Sequence, residues 1–396
     1  MLDDRSLAYL RLNLVPGVGP ILFARLLEAF EGDPRAIFAA PAAALQRVPK
    51  VGAKLAAALR DSRYEEEALA EAERAAAHGV EIVTLDDEAY PPRLRETPDP
   101  PPVLYVRGRL LGERDELSLG IVGSRQTSYY GRDQARRFGS MLARTGLVVV
   151  SGFARGIDTA AHEGALQTGG RTIAVIGSGL LDIYPPENRE LVEDVVEYGA
   201  VISEFPLKTA PQASNFPRRN RIIAGMTLGT LVIESGLKSG AMITARQAGE
   251  LGRDVFAIPG RIDDERTRGC HSLIKQGAKL VEDLADILDE IAPQANLDRS
   301  PPVEEPHAPA TQASLFDSEE QGEEPPESSR IEPILAEQLT PDERAVLEAL
   351  TKEPTGIDLI AQQSKLPIHK VTATLTLLEV KGHVRQLAGR HYMLAR

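Results

Sequence analysis

The chain has 396 residues, a formal net charge of -13 and a single cysteine, Cys270. This length allows two or three domains, each with its own core, and one cysteine excludes a disulfide within the chain. No apolar run approaches the roughly 20 residues of a spanning helix, and the first residues are acidic where a signal peptide would be basic. We therefore expect a cytoplasmic protein without membrane contact.

Residues 1–80 predict a helical domain with two similar segments, LVPGVGPILFARLLEAF at 14–30 and RVPKVGAKLAAAL at 47–59. PGVG is typical of the turn in a helix-hairpin-helix, where glycines let backbone amides approach a DNA phosphate. The second segment keeps only Gly52, so it could simply pack against the first. A helical, SAM-like bundle that serves only packing or protein contacts remains an equal alternative.

Residues 81–290 predict an extended, proline-rich lead-in followed by a Rossmann-like α/β domain. The lead-in covers roughly 81–110 and contains VLYV at 103–106, which we predict to be an edge strand. Helix-patterned stretches separate the later apolar runs, which favours a parallel sheet with right-handed crossovers. The predicted strands are LGIV (119–122), LVVVS (147–151), TIAVI (172–176), AVIS (200–203), TLVIE (230–234) and VFAI (255–258).

The loops after these strands should meet at one edge of the sheet, where ligands bind to parallel α/β folds. They read GSRQTS (123–128), GFARGID (152–158), GSGLLDIYPPENR (177–189), EFPLKTAPQASNFPRRNR (204–221) and SGLKSGAMITA (235–245). Glycine lets a backbone approach a ligand closely, and guanidinium groups bind phosphate oxygens in pairs. One such loop would more often be an ordinary turn, but five in register favour a phosphate site.

Aromatic residues lie among these arginines, which favours a single nucleic-acid strand over a lone nucleotide. Phe153, Tyr184 and Phe216 are the candidate stacking platforms. The candidate DNA-binding residues are Gly123, Ser124, Arg125, Ser128, Gly152, Arg155, Tyr184, Phe216, Arg218, Arg219, Asn220, Arg221, Lys238, Ser239 and Gly240.

Residues 291–338 hold eleven acidic residues against Arg299 and Arg330, and so carry -9 of the net charge of -13. The segment is rich in Pro, Ser, Glu and Gln, which predicts a disordered linker. A basic edge on the remaining, nearly neutral domains is therefore plausible. Within the segment, QASLF at Gln312–Phe316 resembles the peptide that docks bacterial proteins on the DNA polymerase sliding clamp, which makes the clamp a candidate partner.

Residues 339–396 predict a winged helix. TPDERAVLEAL (340–350), IDLIAQQS (357–364) and PIHKVTATLTLLEVKG (367–382) have helical spacing, and VRQLAGRHYML (384–394) predicts a hairpin. The recognition helix would have little with which to read base edges, so a protein contact is at least as good an interpretation. DNA binding there would use Lys365, His369, Lys370, Thr372, Thr374 and Arg390.

The sheet domain resembles the DNA processing protein A family, also called DprA or Smf, over about 103–290. The resemblance rests on VGSRQTSYYG (122–131), SGFARGIDTAAHEGAL (151–166), GSGLLDIYPPENREL (177–191), SEFP (203–206), NFPRRNRIIAG (215–225), VIESGLKSGAMITARQA (232–248) and GRDVFAIPG (252–260). In that family's DNA pocket, the arginine of the GSR motif corresponds to Arg125. The Phe-Pro-x-Arg-Asn segment falls on Phe216, Arg218 and Asn220.

The resemblance implies a mediator that binds single-stranded DNA, protects incoming DNA in natural transformation and helps load the RecA recombinase. It also implies a cytoplasmic homodimer rather than an enzyme, with neither a cofactor nor a metal ion. The helical domain and the winged helix match an arrangement found in many members of the family.

A nucleotide hydrolase of the phosphoribohydrolase type is the alternative, because GTLVIES at 229–235 superficially fits that group, with Glu234 as a candidate base. Ser151, His162 and Asp158 could also supply Ser-His-Asp chemistry. However, Asp158 and His162 lie four residues apart on one predicted helix, where a local hydrogen bond or cap is simpler. The chain has no GxxxxGK[ST] cradle for a nucleoside triphosphate. We therefore favour the binding protein.

Overall fold

The computed structural model describes residues 2–295, 341–350, 355–366, 370, 371, 374, 375, 378, 384–387 and 391–394. The chain divides into two compact units, Met1–Pro309 and Ala310–Arg396. Over the described ranges, every helix is too short or too polar to span a bilayer.

The first unit begins with a helical domain whose core is formed by large apolar side chains such as Leu10, Phe23 and Leu26. Asp3 starts the first helix because its carboxylate accepts from the Ser6 amide at 2.7 Å. Gly17, with φ of +92°, permits the turn between the first two helices. The helices are α1 (Asp4–Leu14), α2 (Pro20–Ala29), α3 (Pro34–Ala39), α4 (Ala42–Leu45), α5 (Ala53–Leu59) and α6 (Arg63–Ala77).

A nine-stranded sheet follows in the described part of this unit, in the order β1-β2-β6-β5-β4-β3-β7-β8-β9. Strands β3 to β9 pair in parallel, whereas β2 pairs antiparallel with both β1 and β6. The predicted parallel α/β core is therefore confirmed. The strands are β1 (Val80–Thr84), β2 (Val103–Gly108), β3 (Ser118–Gly123), β4 (Val148–Ser151), β5 (Thr172–Val175), β6 (Ala200–Ser203), β7 (Gly229–Ile233), β8 (Asp254–Ala257) and β9 (Lys279–Leu280).

The lead-in before β3 differs from the prediction in two ways. VLYV lies in β2, an internal strand whose four apolar side chains are fully buried, so its prediction as an edge strand was wrong. The edge is β1, which starts at Val80, one residue before the predicted domain boundary, and the short helix α7 (Pro92–Arg95) lies between β1 and β2. A buried strand has no edge to protect, which is why VLYV is apolar throughout.

Helices cover both faces of the sheet. Its apolar side chains are buried in two clusters and in the core that the sheet shares with the helical domain. The last helix of the unit continues past residue 291, the predicted start of the linker, because Ile287, Ile291 and Ala292 still pack into the core. The rest of the predicted linker, with Gln312–Phe316, lies outside the described residues. The helices are α8 (Tyr129–Arg144), α9 (Ile157–Gln167), α10 (Arg189–Tyr198), α11 (Asn215–Met226), α12 (Gly240–Glu250), α13 (Arg268–Lys275) and α14 (Leu284–Ala295).

The helical domain is joined to the sheet domain by a buried carboxylate. Glu71, on α6, is 5% exposed, and its Oε1 accepts from the amide of Leu207 at 2.7 Å. Its other oxygen pairs with Arg74. Leu207 belongs to the loop between β6 and α11, so this contact ties that loop to the helical domain.

The second unit contains α15 (Pro341–Glu348), β10 (Thr355–Gly356), α16 (Ile357–Ser364), β11 (Val384–Leu387) and β12 (His391–Leu394). Strand β12 lies between β10 and β11 and pairs antiparallel with both, and Val346, Ile360 and Tyr392 are buried in the core. Helices followed by a strand pair agree with the predicted winged helix. Among its predicted DNA contacts, His369, Thr372 and Arg390 are not described.

Candidate nucleic-acid interface

The sheet contains a switch in strand order at β3. The chain proceeds from β3 to β6 in one direction and then returns through α11 to β7 on the other side of β3. Loops that leave β3 and β7 therefore diverge and open a crevice at the carboxyl ends of the strands. An open pocket of about 470 Å³ lies in this crevice, and we call it the switch-point pocket.

The switch-point pocket is lined by the loops after β3, β4 and β7 and by the start of α11. Eight of the predicted site residues line it: Gly123, Ser124, Arg125, Phe216, Arg219, Asn220, Ser239 and Gly240. Asp158 and Thr244 also line it, although sequence reasoning did not select them as binding residues. Asp158 was considered only for Ser-His-Asp chemistry or a local helix bond, and Thr244 lies in the predicted loop 235–245 but was not singled out.

Residues 215–221, the last part of the loop predicted at 204–221, lie in helix α11, so this part of the loop prediction was wrong. Pro217 lies in the first turn, where its missing N–H is not needed, and it is therefore compatible with a helix. Helical spacing places Phe216, Arg219 and Asn220 on one face of α11, whereas Arg218 and Arg221 share another. Only the first group lines the switch-point pocket.

Arg125 and Phe216 form the mouth of the switch-point pocket. The guanidinium carbon of Arg125 lies 4.7 Å from the centre of the Phe216 ring, and Arg125 makes no ion pair with any residue that the structure describes. The ring of Tyr184 lies 6.1 Å from that of Phe216, with the planes at 59°. A Cβ on Gly177 would lie 3.1 Å from the Phe216 ring, so this glycine makes room for it. An exposed cation and an aromatic cluster thus stand side by side.

Arg219 is a buried brace beneath the pocket. Its Nη1 donates to the carbonyl oxygens of Gly152 and Val175, and its Nε donates to Oδ1 of Asn220 at 3.1 Å. Burial lowers the pKa of Arg219 to about 10, so the guanidinium remains protonated at neutral pH. Burial also raises the pKa of Asp158, although the nearby charge of Arg219 opposes this. Arg219 directly precedes Asn220 and is therefore the arginine of the Phe-Pro-x-Arg-Asn segment, so the assignment of that arginine to Arg218 was wrong. Arg219 stabilises the site from below.

The other two arginines of α11 face Glu204. Arg221 is held by Glu204, with Nη2 to Oε2 at 2.5 Å, and also donates to the carbonyl oxygen of Asp99. Arg218 is 55% exposed, lies 3.7 Å from the same Glu204 oxygen and sits 5.0 Å from the Phe205 ring centre. Arg221 therefore stabilises the fold, whereas the exposed guanidinium of Arg218 is accessible to a ligand.

Two predicted glycine contacts have a packing explanation. A Cβ on Gly123 would lie 1.9 Å from the carbonyl oxygen of Ile233, and one on Gly152 would lie 2.4 Å from the Arg219 guanidinium. Both positions therefore need glycine whether or not a ligand binds. Gly240 is different, since a Cβ there would meet nothing within 4 Å and the residue begins α12.

The remaining predicted site residues lie around the pocket rather than in its lining. Arg155 pairs with Glu187 at 2.6 Å and donates to the Tyr184 hydroxyl at 3.3 Å. Ser128 caps α8 by accepting from the Gly131 amide at 3.0 Å. Lys238 is exposed and has no ion pair within the described ranges.

Phe153 was proposed as a stacking platform, and the structure contradicts this. The ring is completely buried and packs edge-on against His162, with ring centres 5.6 Å apart. The backbone of Phe153 has φ of +59°, so the turn after β4 directs this side chain into the core.

The residues considered for catalysis are engaged elsewhere. Glu234 is buried, and its Oε2 accepts from the Thr127 hydroxyl and the Ser128 amide, both at 2.7 Å. The hydroxyl of Ser151 donates to the carbonyl oxygen of Ile121 at 2.6 Å. These contacts hold loops in place and leave neither group directed at a substrate.

The proposed Ser-His-Asp arrangement does not form, nor does the local bond between Asp158 and His162. Asp158 accepts from the Ala154 amide at 3.2 Å. The Thr172 hydroxyl donates to the carbonyl oxygen of Val149, so Nδ1 of His162, 2.6 Å away, must donate to Thr172. Nε2 of His162 is buried and has no hydrogen-bond partner in the part of the chain that the structure describes. His162 is therefore a neutral core residue.

We expect His162 to make the fold sensitive to acid. Burial lowers the pKa of its imidazole to about 3, whereas an unfolded histidine titrates near 6.5. Below pH 6.5 this histidine is protonated in the unfolded chain but stays neutral in the folded chain. The free energy of unfolding therefore falls by about 1.4 kcal/mol per pH unit down to about pH 3.

Urea unfolding at pH 7 and pH 5 tests this expectation in the native protein and in His162→Asn. The asparagine keeps an N–H near Thr172 but does not titrate. The loss of unfolding free energy between the two pH values should be about 2 kcal/mol smaller in the variant. An equal loss in both proteins would contradict the role of His162.

A doubly wound sheet with a pocket at its switch point defines a Rossmann-like α/β protein. Comparison with known proteins identifies the family. Residues 81–292 match the family model described as DNA recombination-mediator protein A, and residues 331–390 match the DprA winged helix domain. The chain belongs to this DprA/Smf family of DNA processing proteins, as its motifs predicted.

Several known proteins are similar over long stretches. Protein Smf of Synechocystis sp. is 36% identical over 404 residues, 99% of each chain. DNA processing protein DprA of Streptococcus pneumoniae is 46% identical over 207 residues, which cover 52% of this chain and 72% of that protein. The X-ray structure of DprA from S. pneumoniae superimposes with a TM-score of 0.62 at 34% identity, covering 73% of this chain and 99% of that chain.

Proposed function

We propose that the protein binds single-stranded DNA in the switch-point pocket and acts as a recombination mediator. The observation that carries this proposal is the contact between Arg125 and Phe216, an exposed cation beside an aromatic face. Single strands present both a phosphate backbone and unstacked bases. Proteins bind the phosphates with cationic side chains and stack aromatic side chains on the bases. A duplex keeps its bases stacked on one another and cannot use Phe216 in this way.

Further donors surround the pocket. Helix α12 starts at Gly240 without a side-chain cap, and the amides of Gly240 and Ala241 have no acceptor among the described residues, so both are available to a phosphate. Lys238 precedes this helix and is exposed. Arg219 adds positive potential from below, because its buried charge is poorly screened by water. A strand that crosses the pocket would thus meet Arg125, the α12 amides and Lys238 in turn.

The finer role follows from family membership. We propose that the protein protects incoming DNA during natural transformation and helps load RecA, as a cytoplasmic homodimer without enzymatic activity. Segment 241–252 and the residues after Pro259 are our candidates for the dimer surface. Ile243 and Ile262 lie in these two segments and are 37% and 90% exposed. Exposed apolar side chains of this size favour a protein contact.

Titration of a fluorescent oligothymidine into the purified protein tests single-strand binding. Binding should weaken steeply as salt rises, and an unlabelled duplex of the same length should compete poorly. Equal competition by duplex would contradict the stacking role of Phe216.

Nucleoside monophosphates provide the test against the hydrolase alternative. Because Glu234 is buried and already accepts three hydrogen bonds, we expect neither competition by monophosphates nor release of free base from them. Turnover of a monophosphate would show that the protein is an enzyme and not a mediator.

The sliding clamp contact through Gln312–Phe316 stays a prediction, which binding of a 305–322 peptide to purified clamp would test.

A further inference from the structure

A second pocket lies between the helical domain and the sheet domain, and we call it the hairpin pocket. It has a volume of about 220 Å³. One wall is residues 13–20, which include the turn between α1 and α2, and the other is Pro102, Glu204, Phe205, Pro206 and Arg218. It is smaller than the roughly 300–1,000 Å³ of sites for drug-sized ligands, so it suits one unit of a longer chain.

The turn offers unpaired backbone donors to this pocket. The amides of Gly17 and Gly19 have no acceptor among the described residues. Gly19 precedes α2 as its N-cap, and no side chain caps the helix there. A Cβ on Gly17 or Gly19 would meet nothing within 4 Å, so the backbone is open to an incoming group. Free amides at the start of a ten-residue helix attract an anion.

The opposite wall offers a cation and an unpaired acceptor. Oε2 of Glu204 already pairs with Arg221 at 2.5 Å, and Arg218 approaches the same oxygen only to 3.7 Å. Most N–H donors of Arg218 are therefore free. Oε1 of Glu204 has no hydrogen-bond partner among the described residues, although the side chain is only 4% exposed. A buried carboxylate oxygen without a donor is costly. The pocket can therefore pair with an anion at one wall and with an N–H donor at Glu204.

A nucleotide within a DNA strand supplies both groups, a phosphate for the amides and Arg218 and a base N–H for Glu204. The two pockets also share helix α11, with Phe216 on one face and Arg218 on the other. We propose that the hairpin pocket is a second subsite for the same DNA strand, so that the strand bridges the sheet domain and the helical domain. This inference rests on the proposed single-strand binding.

The substitution Gly19→Asp tests the hairpin pocket without disturbing the fold. Gly19 has φ of -101° and ψ of 174°, which aspartate adopts readily as an N-cap. Its carboxylate would occupy the first amides of α2, stabilise the helix and repel a phosphate. Gly52→Asp is a matched control, because Gly52 is the uncapped N-cap of α5 with φ of -83° and ψ of 175° and also has open space at its Cβ.

Oligothymidine binding is measured for the native protein and for both variants at several salt concentrations. Gly19→Asp should raise the Kd about tenfold and reduce the salt slope by about 0.7, the loss of one phosphate contact. Gly52→Asp should bind like the native protein. Gly19→Asn, a cap without charge, should give a smaller loss than Gly19→Asp.

The outcomes separate the two proposals. If the native protein binds and Gly19→Asp binds equally well, the hairpin pocket is not part of the DNA path, while the switch-point pocket stands. If the native protein itself does not bind oligothymidine, the proposed function fails and the second subsite fails with it. Thermal unfolding of each variant confirms that a loss of binding is not a loss of fold.

Discussion

Replacing Arg219 by alanine should lower the free energy of unfolding by about 3–5 kcal/mol, because it removes one partner from a buried charged network. The guanidinium is 3% exposed and donates to the carbonyl oxygens of Gly152 and Val175. Its loss would remove a donor from each of those oxygens, take away the stronger of the two cations, Arg219 and Arg125, that act on the buried Asp158 carboxylate, and open a cavity. Urea unfolding at neutral pH measures the change.

The neighbouring residue is the matched control for this prediction. Arg218 has the same side chain but is 55% exposed, and its contact with Glu204 is 3.7 Å long. Arg218→Ala should therefore change stability by no more than about 0.5 kcal/mol. Equal destabilisation by the two variants would show that Arg219 is not the brace of the site.

Arg125→Ala and Phe216→Ala should each weaken oligothymidine binding by about 1–3 kcal/mol, but in different ways. The arginine variant loses a phosphate contact, so its binding should also depend less on salt, with a slope lower by about 0.7. The phenylalanine variant loses a stacking surface, so its salt slope should stay unchanged. Fluorescence titration at four or more salt concentrations measures both quantities.

Two further variants sharpen this test. Arg125→Lys keeps the charge but loses the planar group that lies over Phe216, so its loss of affinity should be smaller than that of Arg125→Ala. Arg144→Ala removes an exposed cation at the far end of α8, about 22 Å along that helix from Tyr129. It should bind like the native protein. Full affinity in both Arg125→Ala and Phe216→Ala would refute the pocket.

Much of the fold was visible in the sequence because each central strand is a short, continuous apolar run between helical patterns. β3 to β8 lie where LGIV, LVVVS, TIAVI, AVIS, TLVIE and VFAI predicted them. Parallel pairing then determines that their carboxyl ends meet at one edge, whatever the exact loop conformations. The meeting of several loops in one pocket was predictable for this reason.

The distinction between neighbouring arginines could not be read from the sequence. Arg218 and Arg219 are adjacent and identical, and only the phase of α11 against the sheet decides which is buried. The buried face of α11 could not be assigned, because Pro217 and the polar residues around it gave 215–221 the composition of a loop and the helix was not predicted there. Glycine was similarly ambiguous, because close packing at Gly123 and close approach to a ligand favour the same residue.

The buried contact between Glu71 and Leu207 limits how freely this protein could be assembled from parts of its relatives. A helical domain transplanted from another chain would need a carboxylate at the position of Glu71. Without it, the Leu207 amide would lose its acceptor, at a cost of about 1–3 kcal/mol. That amide belongs to the loop that leads into α11, the helix that carries Phe216. A transplanted helical domain would therefore have to supply a matching acceptor at this contact.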